Sequence, residues 1–157
     1  MKTTTLPLRN LVNRSPLRAF LLIPFLLACF ALSPTARAVD PPPDGGYPGD
    51  NTAEGTDALF SLTGGTENTA LGADALYYNA GGTGNTAVGH STLVSNTSGD
   101  DNTAIGGNAL FSNTTGGSNT ATGFSALFSN TTGFNNTAIG WQALYTNTIG
   151  NSNTASG

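Results

Sequence analysis

The chain has 157 residues with five basic, nine acidic and single His and Cys residues, for a net charge of −4. All five basic residues lie at or before Arg37 and all nine acidic ones between Asp40 and Asp101. A protein beginning after Ala38 would therefore have no cation to meet nucleic-acid phosphates and no cysteine for a disulfide. With one His and no Lys or Cys, it would also have almost nothing from which to build a Ser–His or Cys–His nucleophile pair.

Lys2, Arg9, Arg14 and Arg18 precede an apolar run, Ala19 to Leu32, and Ala36 and Ala38 frame a small-residue site. A basic region, a short apolar core and small residues at the cut predict a secretory signal peptide over 1–38. The run is 14 residues long and contains Pro24, whereas a membrane-spanning helix needs roughly 20 apolar residues. No membrane span is expected in the mature chain. Leu26-Leu27-Ala28-Cys29 offers a lipoprotein alternative, against which Phe30, Ala31 and Leu32 carry the apolar core past the cysteine. Residues 39–50, VDPPPDGGYPGD, are too rich in Pro and Gly for a helix or central strand and read as a linker.

From Asn51 the chain repeats. Asn-Thr-Ala begins at Asn51, Asn68, Asn85, Asn102, Asn119, Asn136 and Asn153, always 17 residues apart. The unit is N-T-A-x-G-x-x-A-L-x-x-N-T-x-G-x-x, complete six times over 51–157. A fixed short period marks a stacked repeat, and 17 residues is too short for the helix pairs of the 33- to 47-residue families. Glycines at the fifth and fifteenth unit positions divide each unit into two strand-length segments, N-T-A-x and A-L-x-x-N-T, both rich in Thr and apolar residues. The expected fold is all-β: a parallel β-solenoid of six 17-residue rungs with two short strands per rung. Rungs about 4.8 Å apart would make it roughly 29 Å long.

The ninth position is always Leu (59, 76, 93, 110, 127, 144) and the third always Ala, so Leu is expected to fill the coil and Ala to let the opposite wall close on it. The tenth, Phe60, Tyr77, Val94, Phe111, Phe128 and Tyr145, would then point outward by strand alternation; the opposite assignment, aromatics in and Leu out, stays open. Asn at the first position, and at the twelfth in five of six units, suits tight corners and an amide ladder along the stack. An outward aromatic stripe of a few hundred Å² would favour burial between copies, so a homo-oligomer is expected. Gly157 falls five residues into a seventh unit, which predicts either a longer parent chain or an open sheet edge that meets another chain.

The strand N-T-A-[ILV]-G, present as Asn68–Gly72, Asn85–Gly89, Asn102–Gly106 and Asn136–Gly140, resembles the YadA-like head repeats of trimeric autotransporter adhesins. The resemblance covers Asn51 to Gly157, although the period here is longer and the A-L-x-x-N-T half is not part of that head motif. It implies a left-handed parallel β-roll, a homotrimer and a place on a bacterial cell surface, with host or environmental surfaces as ligands.

No catalytic, cofactor-binding or metal-ligating residue is assigned. His90 occupies a sixth position held elsewhere by Thr56, Ala73, Gly107, Phe124 and Trp141, as a solvent-facing turn would allow. Asp100 and Asp101 are adjacent and read as a solvated turn, at most a site for one weak calcium ion, because no position carries a carboxylate in more than two units. Asn96, Asn113 and Asn130 match the N-glycosylation pattern only because the repeat recurs. The function expected is that of a secreted or cell-surface, adhesin-like structural repeat protein without catalysis. The alternative is an ice- or surface-binding solenoid using the row of second-position threonines, Thr52, Thr69, Thr86, Thr103, Thr120 and Thr137. A polysaccharide-active enzyme would need clustered acids and bases on one face, which the sequence does not assemble.

Overall fold

The computed structural model describes residues 47–157; the expected signal peptide (1–38) and linker residues 39–46 lie outside the described residues. Residues 51–157 form a parallel β-solenoid of six turns and the start of a seventh. Seven three-residue strands, β1 (Thr52–Glu54), β2 (Thr69–Leu71), β3 (Thr86–Val88), β4 (Thr103–Ile105), β5 (Thr120–Thr122), β6 (Thr137–Ile139) and β7 (Thr154–Ser156), form one sheet in chain order. Every pairing is parallel and in register at 17 residues, Thr86 against Thr103 and Ala87 against Ala104, for example. Among the described residues there is no helix. Alternation along each strand turns Ala inward and its two neighbours outward.

The fifth-position glycine ends each strand at φ between 120° and 136°, a region open essentially to Gly. It also lets the rungs close up: a Cβ built on Gly72 would lie 2.6 Å from the Gly89 carbonyl oxygen, and one on Gly106 would lie 2.7 Å from that of Gly123.

In place of the expected second strand, the A-L-x-x-N-T half of each rung is a run of turns. The invariant Leu takes φ of 51–54° and the seventh-position residue, Asp57 in the first rung and Asn108 in the fourth, takes 52–58°. A left-handed Leu costs about 1–2 kcal/mol. The stack sustains it because backbone groups still bond from rung to rung: Leu76 N–H donates to Thr92 O at 3.0 Å, Tyr78 N–H to Val94 O at 3.0 Å, and Asn108 N–H to His90 O at 3.0 Å. This geometry also lets two adjacent residues, Ala109 and Leu110, both turn inward, which no regular strand allows.

The core is narrow. The alanines at the third and eighth positions and Leu59, Leu76, Leu93, Leu110 and Leu127 are buried, with Leu144 partly so. Leucine therefore faces in, as expected. Two columns of asparagine complete the interior, both fully buried through the middle rungs. In the first-position column each side-chain oxygen accepts twice from the next Asn: Asn85 Oδ1 receives Asn102 N–H at 3.0 Å and Asn102 Nδ2 at 3.1 Å. The twelfth-position column links Asn113 Nδ2 to Asn96 Oδ1 at 2.9 Å. The columns meet at the fifteenth-position glycine, where Gly116 O accepts from Asn102 Nδ2 and Asn113 Nδ2, each at 2.9 Å. Few apolar atoms fit inside so thin a coil, and paired amides occupy the rest without leaving a buried polar group bare.

Tyr47–Asp50, read as the end of the linker, pack onto the first rung. Gly49 O accepts Glu67 N–H at 2.7 Å, Pro48 O accepts Asn51 Nδ2 at 2.6 Å, and Asp50 has the φ of 59° also found at Glu67. Leu62 stands where later rungs place Asn and, with Tyr47, packs against the end of the core.

Candidate functional site

The surface of the coil is organised in rows one rung apart, and what distinguishes them is how far each side chain is already engaged. Thirteenth-position threonines are bound internally: Thr97 Oγ1 donates to Thr114 O, Thr114 Oγ1 to Thr131 O and Thr131 Oγ1 to Thr148 O, all at 3.0 Å. The second-position threonines are not. Thr69, Thr86, Thr103, Thr120 and Thr137 sit on the outer face of the sheet, half-exposed, paired in register, and their hydroxyls have no partner among the described residues. Thr154 of β7 extends the row. Beside them, at the fourth position, run Leu71, Val88, Ile105, Thr122 and Ile139, so the outer sheet face is a strip of hydroxyls and aliphatic groups.

The tenth-position aromatics point outward, as expected, but are less bare than the sequence suggests. Phe60 is 65% exposed and the other four are half-buried, because the rings cover one another. Phe60 stacks on Tyr77 at 5.1 Å, Phe111 on Phe128 at 5.0 Å, and Phe128 on Tyr145 at 5.0 Å. Val94 interrupts the column. Other exposed rings lie outside this column: sixth-position Trp141, the most exposed at 67%, and Phe124 (52%) one rung before it, with Tyr78 (54%) and Phe134 (48%) at other positions. The variability of the sixth position hid its rings in the sequence.

The singled-out polar residues are scattered. His90 lies at the exposed corner after β3, its Nε2 3.9 Å from Asp74 Oδ2 and 3.5 Å from Ser91 Oγ. Asp100 does not face Asp101 across a site: its Oδ1 accepts Thr83 N–H at 2.7 Å, the same job that Asn151 Oδ1 does for Phe134 N–H three rungs further on. Among the described residues no three His, Cys, Asp or Glu side chains converge. The glycosylation-pattern residues Asn96, Asn113 and Asn130 are fully buried with Nδ2 held in the ladder, so the folded coil presents none of them as an acceptor. A cavity of about 340 Å³ opens at the first rung, lined by Tyr47, Leu59, Phe60 and Leu62 among others, with no charged side chain on its wall. Among the described residues no helix is long and apolar enough to cross a membrane.

No family model, curated protein or solved structure matches the chain.

Proposed function

We propose that the chain is a secreted or cell-surface structural module, an adhesin-like rod without catalytic activity, that meets its target with the outer face of the coil. The observation that carries this reading is the pair of buried asparagine columns. They tie each rung to the next by side-chain bonds as well as backbone ones, giving a stiff support on which surface rows repeat at constant spacing. The absence of Lys, Arg and Cys after Ala38, the single His and the basic–apolar–small N-terminus support a non-enzymatic, exported protein. The N-T-A-[ILV]-G strands support kinship with trimeric adhesin heads, and the half-exposed aromatic column supports packing against further copies.

The test is to express the full chain in bacteria, follow its export and measure retention of the cells on matrix-coated plastic. Exported protein and retention above that of cells lacking the chain are expected; protein that stays in the cytosol, or unchanged retention, would contradict the proposal. Light scattering coupled to size-exclusion chromatography tests the trimer, and a monomer at micromolar concentration would remove that part.

A second reading, adsorption to ice or another crystalline surface, is favoured by the unpaired, in-register threonine hydroxyls on the outer sheet face. Thermal hysteresis at millimolar protein is its measurement; none would end it.

A further inference from the structure

The rod is chemically polarised along its length. From Asn102 to Gly157 there is no charged side chain and no histidine. The corner that follows each strand changes accordingly. In rungs one and two its sixth and seventh positions hold Thr56 with Asp57 and Ala73 with Asp74; in rungs five and six they hold Phe124 with Ser125 and Trp141 with Gln142. Both large rings are exposed, and they are not used up on each other as the tenth-position rings are. The Phe124 ring instead leans over Gly107 in the rung before, where a Cβ would lie 3.4 Å from its Cδ2. Gly107 thus leaves a shelf beneath one ring, and Trp141 stands clear at the next rung.

On the strands that lead into these two corners, β5 and β6, and next to Trp141 in the chain, the polar side chains are uncharged and uncommitted. The hydroxyls of Thr120, Thr122 and Thr137 and the side-chain amide of Gln142 make no hydrogen bond among the described residues, whereas the Gln142 backbone N–H donates to Phe124 O at 3.0 Å. Flat apolar ring faces with unspent hydroxyl and amide groups, on a surface without charge, suit the chemistry of a sugar ring. A pyranose ring has an axial C–H face that packs on an aromatic ring and equatorial hydroxyls that exchange hydrogen bonds with amides and alcohols. An anionic glycan or a nucleic acid would find no cation here. A polymer of sugars running along the rod would meet the repeated rows at rung spacing.

We propose that the corner formed by Phe124 and Trp141, with Thr120, Thr122, Thr137 and Gln142, is a binding surface for neutral polysaccharide. This inference rests on the reading of the chain as a surface-contacting module and supplies its ligand class. It is tested with purified full-length protein, so its failure is separable from failure of export or cell retention.

Retention is measured on microcrystalline cellulose and on chitin, with immobilised polygalacturonate as the anionic counterpart. The expected result is saturable binding to at least one neutral matrix and none to polygalacturonate. Trp141→Ala and Phe124→Ala should each weaken binding by about three- to tenfold, Trp141→Tyr should retain most of it, and Phe60→Ala, an exposed ring outside the corner, should leave it unchanged. Each variant is checked for unaltered thermal unfolding; where an alanine variant melts early, Trp141→Tyr and Gln142→Ala decide the matter, the first retaining and the second weakening binding. Absence of binding to both neutral matrices, preference for polygalacturonate, or equal losses from Phe60→Ala and Trp141→Ala would overturn the proposal. So would self-association abolished by Trp141→Ala without any retention on polysaccharide, which would assign the corner to a second copy.

Discussion

Asn102 and Asn113 lie in the same rung, are equally buried and share an acceptor, yet replacing each with alanine should have different consequences. The Asn102 side chain takes part in four hydrogen bonds: Nδ2 donates to Asn85 Oδ1 and Gly116 O, and Oδ1 accepts from Asn119 N–H at 3.0 Å and Asn119 Nδ2 at 3.1 Å. Asn113 takes part in three, donating to Asn96 Oδ1 and Gly116 O and accepting from Asn130 Nδ2. Gly116 O keeps one donor in either variant. Asn102→Ala orphans the backbone N–H of Asn119, which is fixed in the coil and cannot turn away, as well as one hydrogen of its amide. Asn113→Ala orphans only side-chain atoms, Asn96 Oδ1 and one Asn130 amide hydrogen, and these can rotate towards other partners. At about 1–3 kcal/mol for each buried group left unsatisfied, Asn102→Ala should cost about 3–5 kcal/mol and Asn113→Ala about 1–2 kcal/mol less. Urea unfolding followed by circular dichroism measures both. An Asn113→Ala loss equal to or larger than that of Asn102→Ala, or losses below about 0.5 kcal/mol for both, would refute the idea that the amide columns hold the rungs together.

Leu110→Ala removes a fully buried side chain between Leu93 and Leu127 and should cost about 2–5 kcal/mol in the same assay. Gly106→Ala combines φ of 120° with a Cβ 2.7 Å from backbone of the next rung; loss of the folded protein, read as absence of a cooperative thermal transition, is expected. Val94→Phe should join the separate stacks at Phe60–Tyr77 and Phe111–Tyr145 into one column and raise stability by about 0.5–1.5 kcal/mol per new ring pair, a gain visible in the urea midpoint. Peptide mapping of protein made in a glycosylating host should find any folded fraction unmodified at Asn96, Asn113 and Asn130, because the acceptor nitrogens are bonded inside the coil; folded, glycan-bearing Asn113 would be inconsistent with the ladder.

The period, the parallel stack, the inward leucine and the asparagine ladder were legible because each follows from identity at a fixed spacing: a residue that recurs every 17 positions in a stacked chain must meet its own copies. The second half of the rung was not legible as a strand-free path. Ala-Leu-x-x-Asn-Thr has strand-like composition, and left-handed φ at Leu is too costly to expect from composition alone; only the bonds to the rungs on either side sustain it. One signal did point there. The invariant Leu directly follows an Ala in five of six units, as in Ala109 and Leu110, and buried Thr92 in the third, and two adjacent core residues contradict strand alternation. The surface rows were harder to rank. Invariant Thr drew attention, whereas Phe124 and Trp141 occupy a position that varies freely because it is solvent-exposed, and exposure is what lets those two rings serve as a contact. The stacking of the tenth-position rings likewise depends on side-chain angles that spacing does not reveal.

The central claim, that each 17-residue unit is one layer of a strand-built coil, is tested most directly by nuclear Overhauser contacts in the soluble protein. Ala87 should show backbone contacts to Ala70 and Ala104, and the side-chain amides of Asn85, Asn102 and Asn119 should contact one another in sequence. Contacts between residues three apart running through the repeats as in a helix, with none at a separation of 17, would contradict it.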